Sequence, residues 1–134
     1  MRLFSTILLA TVLLASSCKK ECSPGTGGSN CSTKYRTAIV GQWHMYAACF
    51  SANDWDITIV EGGGDNGVLI QNIDNSGANV VGSVVSERRC EIPAQTVNGH
   101  SYSGYINLGS STGNIGLSLT KDGQQCSSSG QPKN

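Results

Sequence analysis

No apolar run in this chain reaches the roughly 20 residues that a membrane-spanning helix needs. After residue 17 no window shows helix-length apolar periodicity, nor is any stretch rich in Ala, Leu, Glu and Lys. An α-helical or mixed core is therefore excluded, leaving turns and strands. Charge is also scarce: nine basic and nine acidic residues make 13% of the 134. From Val40 to Cys126, Arg88, Arg89 and Lys121 face Asp54, Asp56, Glu61, Asp65, Asp74, Glu87, Glu91 and Asp122. An acidic domain lacks the clustered basic face that nucleic acid requires, so no nucleic-acid partner is expected. There are two histidines, far apart, and no Cys-x2-Cys pair, so the usual spacing of a zinc site is missing; no metal or cofactor is expected.

What is present begins with Met1-Arg2 and an apolar run from Leu3 to Ala15 ending in Ser16-Ser17-Cys18. A basic start, an apolar stretch of roughly 7–15 residues and small residues at a cut site make a secretory signal. Leu13-Leu14-Ala15-Ser16-Ser17-Cys18 resembles the lipobox of bacterial lipoproteins. The resemblance implies cleavage after Ser17, removing residues 1–17, and lipidation of Cys18. More than one acyl chain, at about 0.8 kcal/mol per buried CH2, anchors a protein stably. Lys19 and Lys20 would then meet anionic headgroups. Residues 18–39, with Pro24, Gly25, Gly27 and Gly28, read as a flexible linker that holds the domain off the membrane.

From Gly41 the apolar period becomes two. Gln42 to Phe50 puts Trp43, Met45, Ala47 and Cys49 on one face, and Trp55 to Glu61 puts Trp55, Ile57 and Ile59 together. Gly67 to Ile73 and Asn79 to Val85 are apolar but ambiguous in phase. Cys90 to Val97, His100 to Leu108, Asn114 to Lys121 and Gln124 to Ser128 follow. Ile115, Leu117 and Leu119 against Ser118 and Thr120 give the cleanest alternation, predicting the first three buried and the last two exposed. The breaks are short, and Asn98-Gly99 and Asp122-Gly123 suit two-residue hairpins. Parallel strands need longer crossovers. The fold class predicted is all-β: an antiparallel up-and-down meander of about eight strands over residues 40–128, with 129–134 a disordered tail. Pro93 cannot donate to a ladder, so a bulge or strand end is expected there.

Gln42-Trp43 opening the first strand, the cysteine at its end, Ile92 to Gly99, Ser103-Gly104 and a late cysteine resemble small lipocalin-like lipoproteins of Bacteroidetes-type bacteria. The resemblance implies a lipocalin-like barrel anchored by lipid at the cell envelope of a Gram-negative bacterium, at the outer membrane. It carries over no site residues. Cys90 stands where it leads one to expect an aliphatic residue.

With Cys18 lipidated, five cysteines remain: Cys22, Cys31, Cys49, Cys90 and Cys126. An exported compartment favours disulfides. In an eight-strand meander Cys49 ends the first strand and Cys126 begins the last, so closure makes them neighbours. Cys90 lies at the opposite end, where it could meet Cys22 or Cys31; how these three pair stays open.

Catalytic constellations are weak, and no catalytic residue is assigned. Gly109-Ser110-Ser111-Thr112-Gly113 has the letters of a nucleophile elbow, but a strand follows where that motif needs a helix. His44, His100 and the pair Asp54 and Asp56 read as strand-face or surface residues. Asp65-Asn66-Gly67 and Asp74-Asn75-Ser76-Gly77 carry oxygen ligands, but Asx turns explain both. Trp43, Trp55 and Tyr102 are candidate walls of a ligand pocket, or the filling of a small barrel. The expected activity is non-enzymatic binding of a small apolar ligand or a macromolecule of the envelope. The rivals are an inhibitor of a foreign hydrolase acting through the Gly62 to Gly67 loop and, last, a hydrolase. Replacing Cys18→Ser is expected to abolish lipid labelling and release the protein from membranes, as membrane fractionation would show.

Overall fold

The computed structural model describes residues 21–28, 31, 33–110 and 112–134. The signal, the lipobox and Cys18 lie outside the described residues. Two short strands come first, β1 (Thr26–Gly27) and β2 (Thr33–Lys34), then a 3-10 turn at Tyr35–Ala38. Eight strands follow: β3 (Gly41–Met45), β4 (Trp55–Glu61), β5 (Gly67–Gln71), β6 (Val80–Ser86), β7 (Arg89–Val97), β8 (His100–Leu108), β9 (Ile115–Lys121) and β10 (Gln124–Pro132). Each pairs antiparallel with the next, and β10 pairs with β3 to close the barrel. This is the predicted meander.

Alternation sorts the faces. Trp43, Met45, Ile57, Ile59, Val68, Ile70, Val80, Val84, Ile106, Ile115, Leu117 and Leu119 point inward and are buried in one cluster. The two ambiguous strands resolve the same way: Val68, Ile70, Val80 and Val84 face in, while Val81 and Val85 are exposed. Eight strands leave an interior just wide enough for side chains to fill. Ser118, expected exposed, is buried (8%). It faces outward, but the Gln125 amide donates to its hydroxyl from the neighbouring strand (3.2 Å).

The hairpin turns are where the sequence put them. Asn98 and Gly99 have φ of 52° and 80°, and Asp122 and Gly123 have 49° and 83°, the left-handed pair of a type I′ turn. Gly104 serves close approach instead, since a Cβ there would collide with the Ser118 carbonyl of β9. At Pro93 the pairing of β7 with β8 slips between Ile92 and Gln95, a bulge. The pairing of β6 with β7 stops at Ser83 and Glu91. Beyond it the Gln95 side chain replaces the absent partner, accepting from Val81 N and donating to Val81 O, both at 2.9 Å.

Three further expectations need correction. The first strand ends at Met45 rather than Phe50, because Ala47 N donates to Asp54 Oδ1 (2.7 Å) and Ala48 bridges Ser51. Residues 46–54 form an excursion, and Ala47 and Cys49 are exposed. The supposed tail is strand: Gly130, Gln131 and Pro132 pair with Met45, His44 and Trp43 and form the closing seam. Nothing in its hydropathy marks β10, whose inward positions Cys126, Ser128 and Gly130 are small. Finally, the described parts of the linker, 24–28 and 33–39, are folded: Arg36 is buried (6%), and Gly25 lies so close to Asn66 and the Val84 carbonyl that a Cβ would collide.

The seam register explains the first disulfide. Gly130 opposes Met45, the last pair of the ladder; four residues back along β10 and four on into the excursion bring Cys126 beside Cys49, whose N–H donates to Cys126 Sγ (3.0 Å). They are bonded, with Cα atoms 6.0 Å apart. Cys22 bonds Cys31, with Cα atoms 5.2 Å apart. Cys90 is free, not paired to either: its side chain points into the barrel beside Gly82 and Val68. Burial and the neighbouring Glu91 push its thiol up to about 12, with the Ser83 backbone opposing, so it is inert at neutral pH.

Leu117→Ala is expected to cost about 2–5 kcal/mol in denaturant unfolding, as for a buried leucine. Closing a loop of 77 residues, Cys49–Cys126 contributes about 4 kcal/mol in the chain-entropy account. Cys126→Ser, measured by thermal unfolding, is expected to lower the melting temperature more than Cys22→Ser, whose loop of 9 residues is worth about 2.6 kcal/mol in the same account.

Candidate functional site

The barrel has two unlike ends. The entry end carries the 3-10 turn and the connections 62–66, 87–88 and 109–114. The far end carries the excursion 46–54, the connection 72–79 and the turns 98–99 and 122–123.

At the far end the chain buries a charge. Asp74 is 2% exposed. Its turn is the expected Asx turn: Oδ1 accepts from Ser76 N (3.2 Å) and Ser76 Oγ (2.5 Å). Oδ2, however, faces into the barrel mouth and accepts from Tyr102 Oη (3.1 Å) and Lys121 Nζ (2.6 Å). Tyr102, on β8, is inward and buried (1%), so its hydroxyl needs a partner. Lys121, at the end of β9, is partly exposed and covers Asp74 from the solvent side. Burial alone would push the Asp74 carboxyl up; the donors Lys121, Ser76 and Tyr102 outweigh it and hold it below the ordinary value. The hydrogen bond to Asp74 raises Lys121, against partial burial.

Above this pair lies a polar hollow of about 300 Å³, lined by Cys49, Phe50, Lys121, Asp122 and Gln124. Its walls are braced. The disulfide ties the excursion to β10, and Asn75 Nδ2 donates to Ser51 Oγ (3.1 Å), joining the excursion to the 72–79 connection. At its rim His100 Nδ1 donates to Asp122 Oδ2 (2.6 Å), while Ser101 N donates to Asp122 Oδ1 (2.9 Å). The Ser101 amide and then His100 draw Asp122 below its usual range.

The sequence-based candidates fall as follows. Trp43, Trp55 and Tyr102 sit in the packed interior at 5, 4 and 1% exposure, and Trp43 Nε1 donates to Ile39 O (2.9 Å). His44 stands on the barrel exterior between two carboxylates, Asp56 at 3.0 Å and Asp54 at 3.5 Å. The Asp56 hydrogen bond raises its pKa. Lys133 and then His44 lower Asp56. No hydroxyl or thiol meets either histidine ring among the described residues; Ser111 lies outside them. No group of three or more His, Cys, Asp or Glu there is placed to hold a metal ion.

At the entry end Arg36 was hidden in what reads as linker. Its guanidinium donates to Gly64 O (2.7 Å) and to Glu61 Oε2 (3.0 Å), with Gly62 O and Gly67 O each at 3.4 Å. The 62–66 loop therefore wraps a buried cation. Its only sequence signal is a run of glycines, whose carbonyls can approach closely. Asp74 was legible as a turn residue, but its partners lie 28 and 47 residues away.

No protein-family model, curated protein or solved structure matches the chain.

The Asp74–Lys121 pair has a definite pH signature. Asp74, lowered in the fold, contributes stability above its unfolded value near 3.9 that is lost as pH falls through the folded value. Lys121, raised, contributes below about 10.4, lost as pH rises through its folded value. Asp74→Asn is expected to cost about 1–3 kcal/mol at pH 7 and to flatten the acid limb of stability against pH in urea unfolding.

Proposed function

We propose that this chain is a lipid-anchored protein of the Gram-negative cell envelope, held at the outer membrane through Cys18, and that its barrel is a non-enzymatic binding module. The partner is a macromolecule met at the far end. One observation carries this reading: the interior is occupied by Trp43, Trp55, Tyr102 and their apolar neighbours, while the loops around the mouth are braced. An apolar carrier wants an apolar, largely preformed cavity. Braced loops lose little conformational freedom on binding, which favours affinity for a surface. Exposed Tyr46 and half-buried Phe50 on the excursion supply aromatic contact beside the polar hollow.

The rival readings find less support. The Gly62 to Gly67 loop, suited to an inhibitor only if it projects freely, is clasped by Arg36. A hydrolase needs a base that meets a nucleophile. Both His44 nitrogens face carboxylates, and the Ser101 hydroxyl turns to Asp122 (3.4 Å) rather than to His100.

Photo-crosslinking residues at position 52 on the far end, or at 87 or 110 on the entry end, test the proposal in cells. A discrete adduct from 52, lost on Phe50→Ala, is expected. Adducts from 87 or 110 alone, or a co-purifying apolar molecule in native mass spectrometry, would overturn it.

A further inference from the structure

Residues 23–28 and 33–40 close the entry end of the barrel. Cys22–Cys31 shuts a loop, Thr26 pairs with Lys34, and Tyr35 N donates to Gly25 O (2.9 Å). This cap is seated on the barrel: Gly25 lies against Asn66 and the Val84 carbonyl, Lys34 pairs with Asp65 (3.0 Å), and Arg36 fills the 62–66 loop. Residues 18–40 are thus not a leash of 22 steps, with a contour of about 75 Å at 3.3–3.6 Å per residue. From Cys18 to Cys22 there are four steps, about 14 Å at most.

That length decides orientation. The strands of the barrel wall run to 7 residues in β9 and 9 in β8. At about 3.3 Å per residue and a tilt near 40°, the wall is about 18–23 Å tall. Were the far end on the membrane, Cys22 would stand a full barrel height above it, beyond the reach of the leash. We infer that the disulfide-closed cap docks the barrel against the phospholipid surface by its entry end and points the far-end loops away from it. This rests on the lipoprotein reading. The charges around the entry end, Lys34, Arg88 and Arg89 against Glu61, Asp65, Glu87 and Glu91, are mixed. The short leash rather than charge attraction therefore sets the arrangement, and it does not require anionic lipid.

Energy transfer tests this on the full lipidated protein in phosphatidylcholine vesicles carrying a headgroup acceptor. A fluorescent residue is placed at position 110 on the entry end or at 52 on the far end. Transfer from 110 is expected to be several-fold more efficient than from 52. Equal or reversed efficiencies overturn the inference while anchoring stands. Inserting twenty Gly/Ser residues between Lys20 and Glu21 is expected to bring the two efficiencies together. An unchanged difference would show that surface affinity, not the leash, sets orientation, and would also overturn it. If Cys18 carries no lipid by intact mass, or the protein does not float with vesicles, the lipoprotein reading itself fails and the inference falls with it.

Discussion

Everything in this fold depends on the closure of β10 onto β3. A meander of eight strands with an open seam would leave two edges and expose one side of the apolar interior. The seam is a short ladder: three residue pairs at its entry-side half, Gly130 to Pro132 against Met45 to Trp43. Two further bonds continue it, Tyr46 N to Ser129 O (2.9 Å) and Ser128 Oγ to Tyr46 O (2.6 Å). Then the excursion leaves the wall, and a covalent bond replaces the ladder. Gly130 is part of the same solution, since a side chain there would collide with Met45 Sδ. The last strand carries small inward residues because the large ones of β3 already fill the space.

The two ends solve the problem of a barrel mouth in opposite ways. The entry end inserts a cation, Arg36, and gives it loop carbonyls and Glu61. The far end inserts an anion, Asp74, and gives it Lys121, Tyr102 and its own turn. Burying either charge without partners would cost several kcal/mol. Each partner set comes from segments distant in the chain, so each charge also pins a connection in place. Rigid loops at the far end and a folded cap at the entry end are consequences of this pinning, and the functional reading rests on both.

Much of the architecture was legible locally. Period-two runs such as Ile115, Leu117 and Leu119, and turns such as Asn98-Gly99, report on neighbours one or two residues away, and those neighbours are in the sequence. Pro93 forecast its bulge for the same reason: a missing N–H is a local fact. The strand count then brought Cys49 and Cys126 together, because antiparallel order converts parity into position. What failed were inferences from composition. Glycines and hydroxyl residues at 18–39 and at 129–134 read as linker and tail, yet the described part of the first caps the barrel and residues 130–132 of the second complete it, since backbone pairing needs no apolar side chain.

The sequence by itself therefore determined the fold class, the inward faces of the cleanly alternating strands, the hairpin turns and one disulfide, all of which follow from periodicity and chain direction. Only the tertiary structure decided that Cys22 takes Cys31 and leaves Cys90 buried and free. It alone placed Arg36 and Asp74 at opposite mouths and turned the presumed leash into a cap. The physical reason is common to all of these: a buried charge, a docked glycine or a disulfide is specified by atoms that meet across tens of residues, and no local pattern encodes which ones.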